Sequence, residues 1–235
     1  MRNLQIGDVI AVENGAFEPV YSFGQFEPDG QADFLEIKTD RSTLQVSRQH
    51  LIFVVNRSGP TAVPSSSVQA GDHLVFGGDS IAVVESIKAV FVTDGLFAPF
   101  TPSGKLVVNG GILVSSYIAF GGSALMIGGV EFSYQWLAHS FEFPHRVACY
   151  YLGRCPVESY NDSGLSSWVA VPLELGLWLL DLEPCTTKNV ILLTFLAVAS
   201  VFSLVEFLLL HAVLFLAGVV LGVWKLKDSG TKSAQ

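Results

Sequence analysis

Residues 4–12 read Leu-Gln-Ile-Gly-Asp-Val-Ile-Ala-Val, and residues 68–76 read Val-Gln-Ala-Gly-Asp-His-Leu-Val-Phe. Both fit apolar-Gln-apolar-Gly-Asp-x-apolar-x-apolar, at an offset of 64. A second pair follows at nearly the same spacing: Thr39, Leu44, Val46 and Ser47 are answered by Thr101, Leu106, Val108 and Asn109. Two matches in register point to a duplicated β module, each half a turn plus a strand with a second strand later. A missed duplication would misassign the whole architecture.

From Leu4 to about Phe120 the chain alternates short β-rich runs with turn residues. Strands are predicted at Val9–Val12, Phe34–Lys38, Thr43–Val46, Leu51–Val55, His73–Phe76, Ile81–Val92, Lys105–Asn109 and Ile112–Ile118. Breakers separate them at Asn14-Gly15, Pro28-Asp29-Gly30, Ser58-Gly59-Pro60, Gly77-Gly78-Asp79 and Pro102-Ser103-Gly104. Such regular spacing reads as an all-β fold with antiparallel pairing. Before residue 130 no run has helical periodicity. After Gly128-Gly129 the character changes, and Gln135–Tyr151, rich in aromatics, contains helix.

The remaining chain is apolar. Leu165–Leu182 is a helix candidate despite Pro172 and Gly176, and its tryptophans suit an interfacial segment. Val190–Trp224 holds only Glu206 and His211 as potential charges, and a bilayer span needs roughly 20 apolar residues. One tilted, overlong helix is favoured over a re-entrant hairpin. Glu206 and His211, five apart, are about 140° from facing each other on a helix of 3.6 residues per turn. Neither has an evident partner, so tolerance near a helix–helix contact or a bend is expected. Lys225, Lys227 and Lys232 follow the run, while Asp181 and Glu183 precede it. That bias puts the C-terminus in the cytoplasm and the β domain in a lumen or outside the cell, against which Lys188 counts.

A net charge of −8 and a pI near 5.0 exclude a nucleic-acid partner, which needs a basic face. The N-terminus shows no apolar signal segment. Cys149, Cys155 and Cys185 lack histidines at ligand spacing, so no metal site and no cofactor is expected. A Cys149–Cys155 disulfide and ordinary thiols both remain open. Asn56-Arg57-Ser58 and Asn161-Asp162-Ser163 are glycosylation sequons, in keeping with a secretory compartment.

Chemistry is concentrated at Ser47-Arg48-Gln49-His50, just after a predicted strand. A tight turn at Arg48-Gln49 would bring a hydroxyl and an imidazole to one surface. There the hydroxyl could polarise a scissile carbonyl and the imidazole could protonate a departing amine. Taken alone, the motif also fits a turn histidine with a capping serine.

The surrounding order of motifs narrows the choice. Gly7-Asp8, Pro19-Val20-Tyr21-Ser22-Phe23-Gly24 and Ser47-x-x-His50-Leu51-Ile52-Phe53-Val54 come first. Gly71-Asp72, Gly95-Leu96-Phe97-Ala98-Pro99-Phe100-Thr101 and Gly104-Lys105-Leu106-Val107-Val108-Asn109 follow, then Ser115-Ser116-Tyr117 and Ala138-His139-x4-Pro144-x-Arg146. This succession resembles the hedgehog C-terminal autoprocessing domain, the intein-like Hint module, over about residues 4–151 and more loosely through Gly164–Leu182. The resemblance implies a pseudo-two-fold β fold that cleaves itself. An N-terminal cysteine attacks the preceding carbonyl to give a thioester, which a sterol or another nucleophile then resolves.

By the same resemblance, His50 matches the histidine that assists the acyl shift, and Ser47 stands where the family usually has threonine. Glu27, with Asp29 as the alternative, covers the position of an aspartate that activates the sterol hydroxyl; a longer side chain there changes the geometry. His139 and Arg146 are expected to close the domain against its C-terminal extension, and His73 to be structural. Ser116 stands where many relatives carry the cysteine of a Ser-Cys-Tyr sequence. No cysteine precedes Cys149, so the chain as written should not perform the first acyl shift. Truncation of a longer protein, with loss of a first strand, a signal peptide and a secreted segment, is favoured over degeneration.

The organisation expected is therefore a Hint-type domain over 1–151 lacking its first strand, an interfacial helical extension over 152–189, a transmembrane segment over 190–224 and a polar tail over 225–235. Its partners would be membrane lipid, an upstream covalently attached segment and, for a transfer reaction, a sterol. The rival is a non-enzymatic β domain displayed on a membrane anchor.

Overall fold

Each Gly-Asp pair closes the same turn. In the computed structural model Gly7 N–H donates to Val20 O at 2.8 Å and Val20 N–H to Asp8 O at 2.8 Å, while Asp8 Oδ2 accepts from Gln5 N–H at 2.8 Å. In the second half Gly71 donates to Val84 O at 2.8 Å, Val84 to Asp72 O at 2.9 Å, and Asp72 Oδ2 accepts from Gln69 N–H at 2.8 Å. Both glycines sit at positive φ, +96° and +93°, where a Cβ is disfavoured. Thr39 and Thr101 are buried, and each hydroxyl donates to a carbonyl a few residues on, of Ser42 and of Lys105. The duplication read from the sequence is thus repeated bond for bond.

The structure describes residues 1–78, 80–120, 122, 124–127, 129–153, 160–182 and 186–231, with side chains for these except 180, 186, 187 and 213–231. Expectations that involved Asp79, Gly128, Cys155, Glu183, Cys185 and Lys232, and the side chains of Lys225 and Lys227, lie outside the described residues.

The first half supplies β1 (Val9–Ala11), β2 (Phe17–Pro19), β3 (Ser22–Glu27), β4 (Ala32–Thr39), β5 (Thr43–Ser47), β6 (His50–Asn56) and β7 (Gly59–Pro64). The second supplies β8 (His73–Phe76), β9 (Ser80–Val92), β10 (Leu96–Phe100), β11 (Lys105–Val108) and β12 (Ile112–Ile118). A hairpin of β13 (Ala124–Ile127) and β14 (Val130–Ser133) leads to α1 (Tyr134–Phe141), α2 (Phe143–Arg146), a π-helical turn (Val147–Tyr151), α3 (Ser167–Asp181) and α4 (Thr186–Thr231). Every predicted strand and helix is present, and β12 and β8 carry the predicted bounds. Strands β2, β3, β7, β10, β13 and β14 were not predicted, and β7 begins on Gly59-Pro60, read from sequence as a breaker.

The halves exchange arms. The eight-stranded antiparallel sheet runs β11-β12-β6-β8-β9-β4-β5 with β7 on β6, so β4 of the first half lies on β9 of the second. Likewise β3 pairs with β10. The repeated apolar positions meet inside: Leu44 and Val46 share one core with Leu106, Val108, Ile52 and Ile112. A second core of Tyr21, Leu51, Phe53, Phe100, Tyr117 and Tyr134 lies beneath the helices. Alternation along β5 sends Leu44 and Val46 inward and Thr43 and Gln45 out, while on β11 Leu106 and Val108 enter this core and Val107 packs against the second.

Helix α1 is N-capped by Ser133, whose Oγ accepts from Trp136 N–H at 3.1 Å. The inner face of α4 presents Leu192, Phe195, Leu196, Ala199, Phe202, Ser203 and Glu206, a heptad-like stripe. Phe141 meets Phe195 and Phe202, Phe143 meets Phe202, and the Ser140 and Ser203 hydroxyls bond at 2.7 Å.

Candidate functional site

His50 opens β6 just beyond the Arg48-Gln49 turn. That turn is fixed at both corners: Arg48 O accepts from Ser66 N–H at 3.0 Å, and Gln49 O accepts from Ala119 N–H at 2.7 Å. Opposite, β12 carries a bulge. Val114 faces Ile52 and Ile118 faces His50, so residues 115–117 stand against Leu51 alone. The bulge takes Ser115 out of the pairing with β6, while it stays opposite Lys105 of β11, and its carbonyl meets the imidazole; bulges of this kind re-aim groups beside active sites. His50 Nε2–H donates to Ser115 O at 2.8 Å.

This bond fixes the tautomer. A carbonyl can only accept, so Nε2 carries the proton and Nδ1 presents a lone pair. Burial pushes the His50 pKa down, opposed by the Ser115 hydrogen bond, so the ring is neutral near pH 7. Among the described residues Nδ1 has no protein partner. The arrangement can take up a proton at Nδ1 and release it again, with Ser115 O steadying the ring throughout.

Ser47 ends β5 opposite Phe34, and its carbonyl accepts from Ser65 Oγ at 2.7 Å. The turn brings it to within three residues of His50, but no hydrogen bond joins their side chains among the described residues. Glu27 stands apart at the end of β3 opposite Leu96, packed over Gly30 and Gly164. No hydrogen bond or ion pair links it to His50, Ser47 or Ser116 among the described residues. Asp29 is exposed, 3.7 Å from Arg2 Nη2.

Ser116 lies in the bulge, its N–H donating to Gly104 O at 2.9 Å. Its side chain is buried, and Oγ has no hydrogen-bond partner among the described residues. It lines an apolar cavity of about 470 Å³ between the β domain and α3 and α4, together with Gln25, Phe100, Tyr117, Trp168 and Leu196.

A buried polar cluster borders that cavity through Glu142 and Trp168. Tyr21 Oη donates to Glu142 Oε1 at 3.0 Å, His145 Nδ1 bonds the same oxygen, and the His145 ring stacks on Trp168 at 4.8 Å. Burial pushes the Glu142 pKa up, against the lowering effects of His145, Tyr21 and Arg146. Arg146 is fully buried and grips Glu206 of α4 with Nε at 2.9 Å and Nη2 at 2.8 Å, while its guanidinium donates to His139 O at 3.1 Å. Glu206 therefore has a partner. Sequence reading found none because Arg146 is sixty residues away along the chain.

Tyr117 Oη lies 3.2 Å from His139 Nδ1. Burial, with Arg146 and Lys105 nearby, holds the His139 pKa down at about 3, so this ring is neutral and its 3.6 Å approach to Glu206 is no ion pair. Cys149 is disulfide-bonded. No cluster suited to a metal ion occurs among the described residues.

Comparison with known proteins gives one family. The Hint module model matches residues 1–180. No curated protein matches the chain. Similar solved structures include the transcription factor IIB Mvu mini-intein at 15% identity, covering 46% of this chain and 71% of that one with a TM-score of 0.38. The gp41-1 intein follows at 15% identity, 48% and 83% coverage and a TM-score of 0.37. The bacterial intein-like domain from Clostridium thermocellum shows 19% identity, 48% and 84% coverage and a TM-score of 0.38. With a duplicated, arm-exchanged β fold and a family match over three-quarters of its length, the chain belongs to the Hint module family.

Proposed function

We propose that this chain is the scaffold and proton-handling part of a hedgehog-type autoprocessing domain, acting on a peptide bond joined to its own N-terminal side. The observation that carries this is His50, neutral, tethered through Nε2 to Ser115 O and open at Nδ1. The reaction needs a thiol ahead of the first strand, and the first cysteine here is Cys149, so it runs where a cysteine-bearing strand precedes. Nδ1 takes the thiol proton, and the thiolate adds to the preceding carbonyl. The C–N bond breaks, and Nδ1–H protonates the leaving amine. The desolvation that lowers the His50 pKa speeds this return of the proton. Ser47, just before the turn, supplies the hydroxyl that polarises the carbonyl.

The thioester then passes its acyl group to a hydroxyl compound, and the thiol is regenerated. A lipid alcohol such as a sterol suits the apolar cavity, and Ser116 Oγ supplies a buried, unpartnered polar group there. Glu27 shares its face of β3 with cavity-lining Gln25 and is the candidate base for that alcohol. The apolar helix Lys188–Ala212 supports a membrane anchor: only 17% of its most apolar stretch is buried, unlike a core helix. The Cys149 disulfide and the exposed sequon residues Asn56 and Asn161 support an oxidising, secretory compartment for the β domain.

The test is a fusion carrying a reporter and a cysteine-bearing strand ahead of Met1, scored for reporter release on a gel with and without sterol. Release that is lost in His50→Ala and weakened in Ser47→Ala is expected. Undiminished release in both variants overturns the assigned roles.

A further inference from the structure

Helix α4 is not uniform along its length. Up to Glu206 one side is docked on the domain through Leu192, Leu196, Ala199, the Ser140–Ser203 bond and the Arg146–Glu206 pair. The opposite side of the same stretch exposes Val190, Leu193, Val201, Leu204 and Val205. Neighbouring α3 exposes Val171, Leu175, Leu177 and Trp178, with the acid Glu174 among them. From Phe207 the sequence reads Phe-Leu-Leu-Leu-His-Ala-Val-Leu-Phe-Leu-Ala-Gly-Val-Val-Leu-Gly-Val-Trp, followed by Lys225 and Lys227. At 1.5 Å per residue these eighteen residues are about 27 Å long, close to the hydrocarbon thickness of a bilayer.

On α4 the polar side chains turned away from the domain bond carbonyls of their own helix. Thr194 Oγ1 donates to Val190 O at 2.9 Å, Ser200 Oγ to Leu196 O at 2.8 Å, and His211 Nδ1 to Phe207 O at 2.7 Å. Helices in water have no need to hide such groups, whereas helices in lipid do. Arg146 spends all of its reach on Glu206 and His139 O, so the one acid in the stretch is neutralised from the domain side.

We infer that the bilayer covers the outward faces of α3 and of the docked part of α4, and that immersion all round begins only after Glu206. The Hint domain is then held flat against the membrane by its own helices, with its apolar cavity next to the lipid, instead of hanging from a long span that starts at Val190. This rests on the membrane-anchor part of the proposed function and adds the surface and the boundary. Continuity of the exposed face with the 207–224 run on one helix favours lipid over a second protein chain.

The test places p-benzoylphenylalanine at Trp178, Val201 or Leu204 of the full chain, in phosphatidylcholine vesicles carrying radiolabelled lipid, with Phe91 of β9 as the exposed control. The inference expects flotation with the vesicles and, on irradiation, labelled-lipid adducts at the three helix positions at least tenfold above those at Phe91. Flotation without adducts above the Phe91 level overturns the inference and leaves the anchor standing. Chain–chain adducts at the three positions overturn it in favour of a second copy. Loss of flotation overturns the anchor itself, and the surface with it.

Discussion

At the scale of single residues, His50 and His139 show how burial assigns roles. His50 and His139 are both neutral because desolvation penalises their charged forms. His50, whose Nδ1 has no protein partner among the described residues, is the proposed proton carrier, whereas His139 is enclosed between Tyr117 and Arg146. His139 contributes to stability instead. Its folded pKa of about 3 lies below the unfolded value of 6.5, so its contribution is complete above pH 6.5 and is lost as pH falls toward 3. At pH 5 the loss is about 2 kcal/mol relative to pH 7. His139→Gln removes that dependence, and urea unfolding of both proteins at the two pH values measures it.

The Arg146–Glu206 pair has a different signature. Glu206→Leu leaves a fully buried guanidinium uncompensated and costs about 3–5 kcal/mol, whereas Arg146→Met with Glu206→Leu costs much less, because the desolvation penalty disappears with the charge. Chemical unfolding of the single and double variants in detergent separates the two. If the single and double variants were equally destabilised, the buried pair would not be what fixes α4 to the domain.

Among the elements, the duplicated turns offer a test of equivalence. Gly7 and Gly71 share φ within a few degrees, and a Cβ at either would meet nothing within 4 Å. Alanine at each therefore costs only the conformational penalty, about 1–2 kcal/mol, equal at the two sites and additive in the double variant. Unequal costs in thermal unfolding would mean that the halves are not built alike.

The strands that sequence reading located are runs of β-branched and aliphatic residues whose alternation or burial follows directly from composition, such as Thr43–Ser47 and Ile112–Ile118. Of those it missed, only β3 and β10 owe their pairing to distant chain, while β2, β7, β13 and β14 pair with a neighbour in sequence. β10 contains Pro99 at a register shift and is a strand because β3 of the other half lies beside it. β7, opening on Gly-Pro, is an edge strand, where proline is tolerated. In the site, Ser47-x-x-His50 was legible as a local pattern. The Ser115 carbonyl that sets the tautomer was not, since it is backbone and its position depends on a bulge with no sequence mark. Glu27 was placed by order of motifs, and the structure sets it against Gly30 and Gly164 rather than beside His50.

For the whole molecule, the arm exchange makes each half incomplete alone, so the domain should fold and cleave as a unit. Orientation is open to a simple check. Asn56, at the end of β6, and Asn161, ahead of α3, are exposed, so expression in a secretory host adds two endoglycosidase-sensitive glycans, lost singly in Asn56→Gln and Asn161→Gln. Absence of both would put the β domain on the cytoplasmic side.

In the proposed reaction His50, held by Ser115 O, drives an N–S acyl shift at a thiol supplied ahead of the first strand. Intact mass of the reporter released by hydroxylamine from the upstream fusion tests it most directly. A C-terminal hydroxamate is expected on the reporter in the native sequence, and at least a hundredfold less in His50→Ala. A native fusion that yields no hydroxamate although the upstream cysteine is present and the protein folded, or equal yields from the two proteins, would contradict it.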